Sequence, residues 1–119
     1  MHAIRLKAPW QIEKIEGGVC YIRRFGLPTN LGADEQVSLV VERVAAPATI
    51  ELNDQLLGEQ LPAEGPKAFE ITRLLQPRSE IRISFQLTPA QLAEVGESHQ
   101  PGLETAPGTL LGEVRLEIA

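Results

Sequence analysis

Between Tyr21 and Ile83 the chain reads YIRRFGLP (21–28), VSLVVERV (37–44), ATIELNDQLLG (48–58), FEITRLL (69–75) and EIRI (80–83). Side chains on a strand point alternately to its two faces, so a period of two decides what these segments are. Ala48, Ile50 and Leu52 alternate with Thr49, Glu51 and Asn53. Val37, Leu39 and Val41 alternate with Gln36, Ser38 and Glu42, with Val40 as the exception. Outside the stretch the pattern continues: Ile81, Ile83, Phe85 and Leu87 alternate with Glu80, Arg82, Ser84 and Gln86, and Val114, Leu116 and Ile118 with Glu113, Arg115 and Glu117. Each strand has one wet and one dry face, as antiparallel sheets packed over a shared core require.

The opening segments are less regular. Ile4 and Leu6 alternate with Arg5 and Lys7 before Pro9 interrupts. From Gly18 to Leu27, Val19, Tyr21 and Phe25 share one face while Cys20 and Ile22 share the other, so the pattern leaves the inward face open. Arg23 and Arg24 fall on opposite faces of that strand.

Turn chemistry sits where strands should end. Asn53-Asp54 tolerates the left-handed backbone angles of a tight hairpin. The run Leu61 to Pro66 reads as a loop, and Thr72 to Gln76 as one helical turn stopped by Pro77. Thr88 as N-cap, Pro89 at the first helical position and Gln91 closing a capping box predict one short helix, ended by Gly96. Residues 97–108 show no periodicity and form a long loop, the kind that in compact domains carries function. Many short strands, one minor helix and no βαβ rhythm give an all-β antiparallel sandwich or jelly roll.

A chain of 119 residues is expected to form one domain, 1–119, and its 43% hydrophobic content suffices for an aliphatic core. A net charge of -5 repels a phosphate backbone, and the lone basic pair Arg23-Arg24 is too small to reverse that, so no nucleic-acid partner is expected. No apolar run approaches the roughly 20 residues of a membrane span, and no membrane partner is expected. The start MHAIRLKAPW lacks the apolar segment of a secretory signal, which predicts a cytoplasmic protein. The single Cys20 excludes an internal disulfide and reads as a small buried hydrophobe.

The order of YIRRFGLP, IELNDQLLG, FEITRLL and GTLLGEVRLEI (108–118) resembles the N-terminal sugar-binding domain of glycoside hydrolase family 2, over roughly Trp10 to Ile118. That resemblance implies a galactose-binding-like jelly roll, here as a stand-alone domain. The family pattern joins an aromatic-Arg-Arg strand, a Leu-Asn-Gly hairpin, a Phe-x-Asp-x-Thr-x-Leu-Leu turn and a Gly-x-Val-x-Leu strand. This chain departs from it at Asp54 (hairpin Gly), Glu70 (Asp), Arg78-Ser79-Glu80 (Gly-x-Asn) and Gln60 (a common His). In such enzymes the catalytic carboxylates belong to a separate barrel domain, so the resemblance implies a module that is not an enzyme.

The polar residues agree. Glu42, Glu51, Glu80, Glu113 and Glu117 fall on wet strand faces, where solvated surface is the ordinary role of a carboxylate, not the paired geometry of glycoside hydrolysis. His2 and His99 are the only imidazoles, too few and too far apart for a multi-histidine metal site. Trp10, Tyr21 and Phe25 are candidates either for core or for a sugar-stacking face. The candidate ligand-binding residues are Trp10, Gln60, Glu64 and His99, with recognition at the loop end formed by Gln60 to Pro66 and 97–108. No cofactor is expected, although the resemblance allows a structural calcium, for which Asn30, Asp34 and Glu35 offer oxygen ligands in one loop. The expected partner is a carbohydrate; the alternative is assembly with another protein or with a second copy.

Overall fold

The computed structural model describes residues 2–7, 10–28, 31–91, 104–105 and 110–119. The strands in chain order are β1 (His2–Arg5), β2 (Trp10–Ile15), β3 (Gly18–Gly26), β4 (Val37–Val41), β5 (Ala48–Leu52), β6 (Gln55–Gln60), β7 (Lys67–Glu70), β8 (Arg78–Gln86), β9 (Glu104–Thr105) and β10 (Val114–Ile118). They form two sheets, ordered β1-β10-β4-β7 and β6-β5-β8-β3-β2-β9, in which every pairing is antiparallel. The all-β jelly-roll sandwich expected from the alternation is the fold observed.

The dry faces are the ones the pattern selects. Ile50, Leu52, Ile81, Ile83 and Phe85 from one sheet meet Leu39, Val41 and Leu116 from the other, all at most 1% exposed. The two-sided strand β3 resolves with Val19, Tyr21 and Phe25 inward. Cys20 and Ile22 point the other way yet are also buried, beside Glu13, Ser84, Gln11 and Arg82 in cross-strand register. Long charged side chains cover apolar neighbours with their stems while their heads stay wet, which reconciles an outer face with a buried Ile22. Val40, the break in the alternation of β4, lies on the corresponding outer face opposite Arg115. The Arg115 guanidinium bonds Glu42, Glu113 and Glu117 across that face, and the hydrogen bonds to Glu42 first and Glu117 second raise its already high pKa.

Trp10, Tyr21 and Phe85 stack through the core. Ring centroids lie 6.5 Å apart for Trp10–Tyr21 and 5.3 Å for Tyr21–Phe85, the second an edge-to-face contact. Burial pushes the Tyr21 phenol up to about 12, because a phenolate there would lose its water. Since the folded-state value is raised, the associated stability is complete below the unfolded value of about 10 and disappears as pH climbs through 12. Tyr21 is the only tyrosine. The phenolate absorbance of the native chain should therefore rise near pH 12, against near 10 in urea; a native midpoint near 10 would contradict the packing.

The hairpin between β5 and β6 turns at Asn53 and Asp54, with φ of 50° and 67°, the positive angles expected of a two-residue connection. The predicted helical turn over Thr72 to Gln76 is instead a hydrogen-bonded turn, with the Leu74 amide donating to the Ile71 carbonyl at 2.9 Å. Its other polar groups are taken by side chains: Asn53 Nδ2 donates to the Leu74 carbonyl (2.8 Å), and the Gln76 amide donates to Ser79 Oγ (3.1 Å). Leu74 and Leu75 still pack against the core, and Ile71 is fully buried. At 88–91 the reciprocal capping box is present: the Thr88 amide donates to Gln91 Oε1 (2.9 Å) and the Gln91 amide to Thr88 Oγ1 (3.2 Å). The predicted helix end at Gly96 and most of the 97–108 loop lie outside the described residues.

Candidate functional site

Among the described residues, those singled out from sequence do not form one ligand-facing surface. Trp10 begins β2 with no exposed surface, and its indole Nε1 donates to the Leu6 carbonyl at 3.3 Å. A ring with no open face offers nothing for a sugar to stack on, so Trp10 is core, and the stacking alternative is set aside for the equally enclosed Tyr21. Gln60, at the end of β6, is also fully buried. Its Nε2 donates to the carbonyls of Val41 (3.1 Å) and Gly65 (2.9 Å), tying β4 to the loop that follows β6. Among the described residues its Oε1 finds no partner. Gln60 thus braces the loop from inside and presents nothing to a ligand.

Glu64 closes the 3-10 turn Pro62–Glu64. Its Oε1 accepts from the Leu61 amide (2.8 Å) and its Oε2 from Lys67 Nζ (3.1 Å). The backbone hydrogen bond first, and Lys67 second, hold its carboxyl below the usual range. The carboxylate is solvent-exposed, but both oxygens serve the turn. His99 lies outside the described residues, as does Asn30. Of the other two oxygen donors proposed for calcium, Asp34 is exposed and Glu35 turns Oε1 back to accept from the Gly32 amide at 2.7 Å. Among the described residues no three His, Cys, Asp or Glu side chains gather as a metal set.

A different place has the geometry of a site. Where the edge of the smaller sheet meets β3 and β8, a cleft of about 360 Å³ opens, lined by Arg5, Arg23, Arg24 and Arg78. Its apolar lining includes Leu6, Phe25 and Leu116, which belong to the core. Arg5 ends β1, Arg23 and Arg24 lie in the second half of β3, and Arg78 opens β8 directly opposite Gly26. Because Gly26 carries no side chain, the space across from Arg78 stays open: a Cβ there would meet only the Pro77 carbonyl, at 3.9 Å. The cleft sits at the Asn53 end of the larger sheet, since Leu52, Ile81 and Arg23 share a register there. The Gln60 loop is at the far end, beside Ala48 and Phe85.

The four guanidinium groups are held in different ways. Arg23 Nε donates to the Lys7 carbonyl (2.9 Å) and its Nη1 reaches the Arg24 carbonyl, so backbone atoms fix its orientation. Arg24 pairs with Glu80 at 3.0 Å and Arg5 with Glu113 at 3.0 Å. The side chains of Arg5 and Arg24 are 66% and 59% exposed, a setting in which ion pairs contribute little and exchange readily. Glu80 is held more firmly from the other side: the Arg82 hydrogen bond is the main cause of its lowered pKa. Arg78 has no ion-pair partner among the described residues. In the sequence Arg23-Arg24 reads as a basic pair on opposite faces of one strand; the further signal is Arg78, which stands where the resembled family has a glycine.

The chain is thus a sandwich of two antiparallel sheets with a cleft between its edges. Comparison with solved structures places it more narrowly. The chain superimposes over 97% of its length on 29% of Bifidobacterium dentium β-glucuronidase, with a TM-score of 0.66 and 17% identity. It superimposes over 98% on 22% of a β-D-mannosidase from Dictyoglomus thermophilum (TM-score 0.68, 12% identity), and over 99% on 15% of a rhamnosidase from Novosphingobium sp. PP1Y (0.66, 18%). The fold is therefore that of a domain found within large glycosidases, as the motif order implied, and the chain spans less than a third of these enzymes. No protein-family profile matches the sequence, and no curated protein does. No helix among the described residues is long and apolar enough to cross a membrane.

Proposed function

We propose that this chain acts as a non-catalytic binding module that recognises carbohydrate. The observation that carries the reading is the superposition of nearly the whole chain on a small fraction of several glycosidases of different specificity. In this chain the carboxylates of Glu42, Glu80, Glu113 and Glu117 are engaged by arginines on sheet faces. That arrangement lacks the free pair of carboxyl groups facing one another across a sugar that hydrolysis needs. Titration calorimetry against a panel of monosaccharides and disaccharides should give saturable binding in the millimolar range or tighter, with no release of reducing sugar from aryl glycosides. Uniformly null binding would remove the carbohydrate reading, and steady aglycone release would remove the non-catalytic one.

A second reading, assembly with another protein or a second copy, is favoured by the edge strand β6. Leu56 on that strand is 66% exposed and Leu61 just beyond it 50%. Apolar side chains beside an unpaired strand edge are a common place for chains to meet. Light scattering that reports a dimer, dissolved by Leu56→Lys, supports this reading; a strict monomer at high concentration counts against it.

A further inference from the structure

We infer that the arginine-lined cleft binds an anionic monosaccharide, a sugar bearing a carboxylate or phosphate group. The inference rests on the carbohydrate reading and specifies the ligand. Among the described residues the ionisable lining of the cleft is four arginines, of which Arg5 and Arg24 each pair with a carboxylate just outside it, Glu113 and Glu80. With those two pairs counted, Arg23 and Arg78 still leave a local excess of positive charge on a chain of net charge -5. A cleft with low-dielectric walls concentrates such a field inward, so a small anion is attracted locally although the molecule as a whole repels it.

The choice of ligand follows from the donors. Guanidinium groups are planar, permanently charged and donate only; their fork matches the two oxygens of a carboxylate or phosphate. Arg23 is already oriented by the Lys7 and Arg24 carbonyls, so an anion meets a donor whose freedom is spent beforehand. Arg78 brings a charge with no partner among the described residues, beside the gap left by Gly26. Arg5 and Arg24 are themselves 66% and 59% exposed, so an incoming oxyanion can share their guanidinium groups with Glu113 and Glu80 at little cost. The size is set by the cleft: about 360 Å³ lies at the lower end of small-molecule sites, which fits one sugar ring. Leu6, Phe25 and Leu116, all core residues, form the apolar floor of the cleft.

The test is calorimetry on the intact chain at low ionic strength with glucose, glucose 6-phosphate, glucuronate and inorganic phosphate. The expected result is binding of glucose 6-phosphate or glucuronate at least tenfold tighter than glucose, weakened by added salt; whichever of the two binds better identifies the group recognised. Arg78→Ala should weaken that binding about tenfold or more. Arg78 is exposed and has no ion-pair partner among the described residues, so the variant should keep its unfolding midpoint, which is measured alongside. Lys14→Ala removes one positive charge near the far end of β2 and should leave affinity unchanged. Equal affinity for glucose and its charged forms overturns the inference while leaving the carbohydrate reading standing. Inorganic phosphate binding as tightly as the sugar phosphate overturns it too, since the cleft would then be a general anion patch. Loss of affinity in Lys14→Ala equal to that in Arg78→Ala does the same. Absence of binding by every sugar removes both readings.

Discussion

Gly18→Ala should lower the unfolding midpoint by on the order of 10 °C, the larger of two backbone-controlled effects in this fold. Gly18 opens β3 and lies opposite Gln86 in the nine-residue ladder with β8. A Cβ added there would stand 1.8 Å from the Phe85 carbonyl oxygen and 2.9 Å from its carbonyl carbon. The obstacle is backbone, so no rotamer change relieves it. Either the first residues of β3 peel from β8 or the Phe85 segment moves, and Phe85 is fully buried against Tyr21. Overpacking of this kind costs about 3 kcal/mol, at the upper end of the usual range because nothing flexible can yield. Gly17→Ala is the control: its φ is +75° but a Cβ would meet nothing within 4 Å, so only the left-handed angle is penalised, by about 1 kcal/mol. Urea denaturation of both variants, with slopes compared to ensure that the denatured states match, separates clash from strain. A Gly18→Ala chain as stable as Gly17→Ala would mean that the β3–β8 ladder is not as close as described.

The alternation between Ala48 and Leu52, and between Ile81 and Leu87, was enough to name strands and their inner faces, because one face of each is dry and a one-residue slip would expose every apolar side chain. The order of strands was legible only through the motif resemblance. Nothing local in His2–Arg5 says that it pairs with Val114–Ile118, since that contact joins the two ends of the chain. The turn at 72–76 was misread for a related reason. Its apolar spacing suits a helical turn, but its carbonyl and amide partners arrive from Asn53 and Ser79 and thus depend on strands elsewhere.

The same distinction explains the candidate site. Trp10 and Gln60 drew attention because sugar sites favour aromatics and amides, yet both groups are also what a core uses when it must bury a polar atom with a partner. Trp10 hands its N–H to Leu6, and Gln60 hands both of its N–H bonds to backbone carbonyls. Residue type alone does not tell the two uses apart; exposure does. The arginine cleft had the opposite difficulty. Its members sit at 5, 23, 24 and 78, and only the approach of β1 to β3 and β8 brings these four arginines to line one space. A charge count taken along the sequence dilutes that cluster in a chain with 16 acidic residues.

Asn53→Ala should cost about 3 kcal/mol, through two separable causes. The residue holds a φ of 50°, a conformation asparagine accepts and alanine resists. Its side chain also joins three parts of the fold. Nδ2 donates to the Leu74 carbonyl at 2.8 Å and to Ser79 Oγ at 3.3 Å, while Oδ1 accepts from the Glu80 amide at 2.9 Å. The Asn53 amide in turn donates to the Glu80 carbonyl at 2.9 Å, so hairpin and β8 exchange a reciprocal pair. Alanine leaves the half-buried Glu80 amide and Leu74 carbonyl without their partners and adds the angular strain. Glycine removes the strain but not the loss of hydrogen bonds, so Asn53→Gly should fall between wild type and alanine, about 1 kcal/mol above the latter. Aspartate keeps the acceptor for Glu80 while setting a carboxylate against the Leu74 carbonyl. Asn53→Asp should therefore be less stable than wild type at neutral pH and should recover part of the difference as the pH is lowered and the carboxyl protonates, because a protonated oxygen can donate to that carbonyl. Chemical denaturation of the three variants at pH 7 and pH 4 measures all of this. Glycine as stable as asparagine would show that the side-chain bonds contribute nothing, and that the turn at Asn53 and Asp54 is held by backbone angle alone.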